Sequence, residues 1–219
     1  MSTTNTGLPT ASMDRPNRAN PRQRAQRAET RERLIEGAIR VFSAKGYVNT
    51  TVEDILSEAG VSRASFYAHF ASKAAVVAEM IENFAPIWQP MYDELSTMPH
   101  DIERLTAWCR RNVAMYRSNQ PLCIIMTQAG SIEPDLYWKM SSYQDALTDQ
   151  LAAGNPALAH LAHDKAGRLR AALALSQIDQ ACYFLAVRRW QEEPEAGVEA
   201  MAAQLCHFLT TEAERGSGQ

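Results

Sequence analysis

The segment TVEDILSEAGVSRASFYAHFASK, Thr51 to Lys73, constrains the fold of this chain more than any other stretch. Its first half places Val52, Ile55, Leu56 and Ala59 at a helical period. Gly60 sits where a left-handed residue ends that helix, and Ser62 is placed to cap the next one through its hydroxyl. Two short helices bent sharply about a Gly-containing turn form a helix-turn-helix, whose second helix enters the DNA major groove. The segment is therefore a candidate DNA reader.

The flanking sequence predicts helices throughout. A first helix is expected from Ala28 to Lys45, with Leu34, Ile35, Ala38, Ile39, Val41 and Phe42 as a broad apolar face and Gly46 as its stop. Thr50 and Glu53 match a capping box for the second helix. The third is expected over 63–70, with Phe66 and Phe70 facing the core. Ser72 caps a fourth, in which Val76, Val77, Met80, Ile81 and Phe84 point inward until Pro86 and Pro90 bend or end it. Beyond residue 87 no strand-like alternation persists, and helices are expected near 101–118, 121–130, 134–153, 165–192 and 195–213. The chain reads as all-α, with about nine helices. The expected division is a disordered basic tail over 1–26, a helix-turn-helix domain over 27–74, and a helical C-terminal domain over 75–219, helix 4 linking the last two.

Charge is uneven along the 219 residues. Residues 1–33 carry +4 against a net charge of -3, which leaves -7 on the remainder, so positive charge collects beside the candidate DNA reader. The arginines of the tail suit a solvated arm or one that follows a minor groove. A hydrophobic content of 46% is ample for a packed core. No stretch approaches the roughly 20 apolar residues of a membrane span, and the N-terminus lacks a signal-peptide core, so a cytoplasmic protein without membrane contact is expected. Cys109, Cys123, Cys182 and Cys206 are widely spaced with no CxxC pair, which supports no metal site; neither metal nor cofactor is expected. There is also no GxSxG, Gly-rich phosphate loop or HExxH, so no enzyme is expected.

Residues 30–84 resemble the TetR family of bacterial transcription regulators. The resemblance is carried by Phe42-x-x-x-Gly46-Tyr47, Thr50-Thr51-Val52-x-Asp54-Ile55, Ala59-Gly60-Val61-Ser62, Phe66-Tyr67-x-His69-Phe70 and Ser72-Lys73. Members commonly carry Gly-Thr or Pro-Thr before the aromatic pair, where this chain has Ala64-Ser65, a change that bears on operator sequence. The resemblance implies backbone contacts to DNA from Tyr67, His69 and Lys73. Thr51 and Ser62 lie at helix N-termini, where free N–H groups attract phosphate. Base reading is expected from Arg63, which can pair a guanine bidentately, together with Ala64 and Ser65.

The family resemblance further implies dimerisation through the last two helices and a ligand cavity. Leu175, Ile178, Cys182 and Leu185 on one helix, with Met201, Leu205 and Phe208 on the next, are expected at the dimer interface. Aromatic and polar residues concentrated in the C-terminal helices, Trp88, Tyr92, Trp108, Asn112, Tyr116, Met126, Trp138, Tyr143, Asp179 and Tyr183, are expected to line the site of a small apolar ligand. A loose resemblance of this half to the ethionamide-resistance repressor subgroup points the same way. The expected protein is a homodimeric repressor on a pseudo-palindromic double-stranded operator, released by a small ligand. The alternative is a nucleoid or cell-division DNA-binding factor with no small-molecule input.

Overall fold

A computed structural model of the chain describes residues 20–187 and 194–218, and its regular elements are all helical. They run α1 (Pro21–Lys45), α2 (Val52–Ala59), α3 (Arg63–Tyr67), α4 (Lys73–Thr97), α5 (Ile102–Ser118), α6 (Gln120–Gly130), α7 (Pro134–Gly154), a 3-10 segment (Pro156–Ala162), α8 (Lys165–Val187) and α9 (Pro194–Ser217). The expected end of the penultimate helix, 188–192, and residues 1–19 of the expected tail lie outside the described residues.

Local capping explains where these helices begin. α1 starts at Pro21, seven residues before the expected Ala28, so residues 21–26 are helical and not part of a tail. Asn20 accepts from the Arg22 N–H, Gln23 reaches back to the Asn20 N–H, and Pro21 brings its fixed φ to the first turn. The capping box of α2 lies one residue later than Thr50–Glu53. Thr51 and Asp54 form it reciprocally, while Thr50 is buried and donates its hydroxyl to the Gly46 carbonyl at 2.8 Å. Gly60 ends α2 at φ 62°, ψ 41°, the left-handed conformation expected of it. α4 runs unbroken through Pro86 and Pro90, which bends or ends were expected to mark. Each proline removes one intrahelical donor, yet Tyr92 and Leu95 beyond them are buried in the core and hold the helix in place.

Two hydrophobic clusters organise the packing. The first gathers Leu34, Phe42 and Tyr47 with Ile55, Phe66, Phe70, Val77 and Met80, and is completed by Ile125, Ala129 and Leu136 from α6 and α7. The second joins the far half of α4 to α5, α7, α8, α9 and the 3-10 segment around Trp108, Leu151, Leu175 and Met201. α4 belongs to both.

The residues expected at a dimer interface need correcting. Leu175, Ile178, Cys182, Leu185, Met201 and Leu205 are all buried in the second cluster of their own protomer, and Phe208 packs against it partly exposed. The apolar breadth of α8 arises because it carries two stripes. One packs inward, and the other leaves Leu169, Leu173 and Phe184 at 63%, 58% and 43% exposure. Hydrophobicity alone does not tell these faces apart; packing against α5 and α9 does.

Candidate nucleic-acid interface and ligand cavity

α3 is short because its anchors are short-range. Ser62 caps it by accepting the Ser65 N–H at 3.2 Å, and Phe66 and Phe70 are buried with ring centroids 6.0 Å apart. That anchoring turns Ser62, Arg63, Ala64 and Tyr67 to solvent on the opposite side, with Ser65 partly covered and Tyr67 51% exposed. Arg63 pairs with Glu53 of α2, an exposed contact that a guanine edge or a phosphate can replace. Thr51 is exposed at the N-terminus of α2, its hydroxyl bonded to Asp54. Asp54 also binds Lys45, and these bonds hold its carboxyl down at about 2.

Two expected phosphate contacts are placed differently from what their chemistry alone suggests. Lys73 turns inward. Its ammonium donates to the carbonyls of Tyr47 and Thr50 at 2.8 Å each, reaches that of Val48 at 3.4 Å, and lies 4.4 Å from the centre of the Tyr47 ring. All three donors are engaged in holding the α1–α2 turn, so Lys73 is not presented to solvent as a free charge. His69 is partly buried beside Arg27 and Arg31. Burial first, then these two positive neighbours, lower its pKa, which disfavours the imidazolium.

The arginines of α1 largely serve the fold. Arg27 donates to the Ala68 carbonyl at the end of α3, Arg33 to the Ala59 carbonyl at the end of α2, and Arg31 forms a two-pronged pair with Glu79 of α4. Sequence reasoning counted them as field and missed these contacts, since none lies close enough along the chain for a local pattern to reveal.

A cavity of about 130 Å³ opens at the seam between the two hydrophobic clusters, among α4, α5, α6, α7 and α8. Six of the expected ligand residues line it: Trp88, Tyr92, Tyr116, Met126, Tyr143 and Asp179. Trp138 and Tyr183 lie instead on an adjoining, more open recess of about 610 Å³, with Trp138 67% exposed. Trp108 is fully buried behind Tyr92 and donates to the Met91 carbonyl at 2.8 Å, while Asn112 is buried beside the same tyrosine, so neither reaches the cavity. The lining also includes Ile81, Phe84, Met115, Met140, Gln144 and Leu147. Ile81, Phe84, Trp88 and Tyr92 follow one another at three- and four-residue steps along α4, a pattern visible in the sequence but indistinguishable there from core.

Asp179 is the one carboxylate of this lining. It accepts from the Tyr92 and Tyr116 hydroxyls at 3.3 Å each. Burial pushes its carboxyl up to about 6, and the tyrosines and Gln144 counter only part of that rise. Burial likewise pushes the thiols of Cys109 and Cys123 up to about 12, which keeps them protonated.

The α6 helix connects the cavity to the DNA-facing unit. Met126 lines the cavity, and two residues on Gln128 accepts from the Tyr47 N–H at 2.9 Å. The Tyr47 hydroxyl donates to Glu133 at 2.6 Å.

The model of the family described as bacterial regulatory proteins, tetR family, matches residues 34–80, the span from the middle of α1 into α4. Residues 34–80 are a tetR-family unit. Similar tetR-type sequences include the HTH-type transcriptional repressor KstR2 of Mycolicibacterium smegmatis, 35% identical over 83 residues, and the HTH-type transcriptional regulator TtgR of Pseudomonas putida, 39% identical over 62. These matches cover 37% and 28% of this chain and 40% and 30% of the relatives, so the chain spans less than half the length of either relative. A tetR-family regulator from Syntrophomonas wolfei shares the fold over 82% of this chain and 95% of its own, with a TM-score of 0.63 at 20% identity. GusR of Salmonella enterica does so over 83% and 96%, also at a TM-score of 0.63, with 18% identity. Among the described residues no helix is long and apolar enough to cross a membrane.

Proposed function

We propose that this chain is a homodimeric tetR-family transcriptional repressor that binds a pseudo-palindromic operator and is released when a small molecule enters the α4–α8 cavity. The observation that carries the reading is the α3 face, where buried Phe66 and Phe70 present Arg63, Ala64, Ser65 and Tyr67 outward together. Arg63, Ala64 and Ser65 read base edges; Ser62, Thr51, Tyr67 and His69 set register on the phosphates. The outer stripe of α8, with Leu169 and Leu173, and Phe208 of α9 supply the dimer contact, placing two α3 helices roughly 34–36 Å apart along the DNA.

Release follows from the position of the cavity. Ile81, Phe84 and Trp88 put α4 on one wall, and Met126 puts α6 on another. Tyr47 is bonded to Gln128 of α6, to Glu133 at the N-cap of α7 and to Lys73 at the start of α4. A ligand that spreads α4 from α6 acts on that junction and favours a dimer whose α3 helices are out of register. The cavity supports a small-molecule input over a nucleoid or cell-division role without one.

Footprinting of the purified protein on DNA upstream of its own gene tests the reading. Arg63→Ala is expected to cost about 1–3 kcal/mol on the protected sequence and to relax preference at one base position. Equal losses on protected and scrambled DNA would remove Arg63 from base reading.

A further inference from the structure

We propose that the α4–α8 cavity binds a small organic cation, its positive centre against Asp179 and a ring-sized apolar group inside. This rests on the reading of the C-terminal half as a ligand-responsive domain and gives that ligand a chemical class.

Among the described residues, two inward-facing carboxylates are treated differently: Glu212, which is buried, and Asp179, which is partly buried at the cavity. Glu212 is 1% exposed and is met by Arg170 at 2.7 Å, by Arg215 at 2.6 Å and by His160 at 3.0 Å. Asp179 has only neutral partners among the described residues: the hydroxyls of Tyr92 and Tyr116, and Gln144. A carboxylate withdrawn from water without a positive partner is costly, and neutral donors offset part of that cost. The surface Asp179 keeps faces the cavity and the adjoining recess.

The surroundings complete a cation site. Trp88, Tyr92, Tyr116 and Tyr143 bring four electron-rich rings to the same space, and such rings attract ammonium groups. Asp179, Tyr116, Met140 and Gln144 border both the inner cavity and the recess, so the carboxylate stands at the neck between them. The inner 130 Å³ is close to the roughly 150 Å³ that accommodates benzene. A neutral apolar ligand would seal Asp179 away from water without compensating it, and an anion would add repulsion. Near pH 7 the carboxyl, raised to about 6, is mostly ionised.

The test uses two shape-matched probes, (4-hydroxyphenyl)trimethylammonium and 4-tert-butylphenol, which differ only in a charged nitrogen for a carbon. Titration calorimetry on the full chain at pH 7.5 is expected to show the cation binding at least about ten-fold tighter. Asp179→Asn is expected to abolish that preference, weakening the cation and leaving 4-tert-butylphenol bound at least as tightly as before, since no charge is then sealed from water. Equal or tighter binding of the neutral probe to the unaltered chain, a preserved preference in Asp179→Asn, or no binding of the cation at millimolar concentration each overturns the proposal. A second measurement needs no variant. The quaternary ammonium does not titrate, so its affinity should fall on acidification through about 6. Of the other titratable groups around Asp179, burial raises the pKa of Tyr92 on α4, Tyr116 on α5, Cys123 on α6 and Cys182 on α8, which stay protonated and neutral there; Tyr143 of α7 completes the set. A flat profile overturns the proposal as well. Because no DNA is present, failure here leaves an operator footprint standing, and a missing footprint leaves the cation preference standing.

Discussion

The α3 face and the α4–α8 cavity meet opposite demands on their polar groups. On α3, Arg63 and Tyr67 stand in water, and Arg63 holds an exposed partner that it can exchange. In the cavity, Asp179 is partly withdrawn from water and holds tyrosine hydroxyls instead of a cation. The first arrangement costs little to maintain and binds by replacing solvent and a weak ion pair. The second carries an electrostatic cost in the ligand-free fold, which a suitable occupant lowers. On the proposed reading, recognition of DNA depends on what α3 exposes, and recognition of a small molecule on what the C-terminal helices bury.

Three substitutions probe that contrast. Trp108→Ala should be the most severe, since it empties a fully buried site and removes the bond to the Met91 carbonyl; a loss of about 3–5 kcal/mol in denaturant melts is expected. The α3 contacts should persist wherever the variant remains folded, and a selective loss of base preference would show that the two regions are not separable. Asp179→Asn should act in the other direction. A carboxyl that titrates near 6 in the fold, against 3.8 ordinarily, holds its proton more tightly when folded. Its contribution to stability is thus greatest below about 4 and declines as pH rises through about 6. At pH 7 the variant should be more stable by about 3 kcal/mol, with the difference vanishing near pH 4. Melts that superimpose at both pH values would mean that Asp179 carries no buried charge. Lys73→Met tests which region owns that lysine. Loss of its bonds to the Tyr47 and Thr50 carbonyls should cost about 1–3 kcal/mol of stability. The salt dependence of DNA binding should stay unchanged, whereas a slope reduced by about one would return Lys73 to the phosphates.

What the sequence reveals follows the range of each interaction. The caps of α2, α3 and α4 involve residues three apart, and the helix-turn-helix was legible because such patterns are written locally. The inward bonds of Lys73 were not legible because its acceptors lie 23–26 residues away. α1 was started too late because Asn20 and Gln23 cap it ahead of any apolar stripe. Asp179 stood out as a polar residue on an apolar helix, but its tyrosine partners, 87 and 63 residues away, did not. The faces of α8 were exchanged for a related reason: both are apolar, and only three-dimensional packing decides which is inside.

The hydrophobic cluster under α3 takes Ile125, Ala129 and Leu136 from α6 and α7, and Tyr47 hangs its hydroxyl on Glu133. The DNA reader is a module in sequence without being one in packing. An engineer who grafts this head onto another tetR body by cutting near residue 75 therefore transplants an unfinished core. A working chimera needs the three apolar side chains and the two Tyr47 acceptors, Gln128 and Glu133, to travel with it. Operator specificity can be exchanged between regulators of this kind only as fast as that hidden surface is exchanged with it.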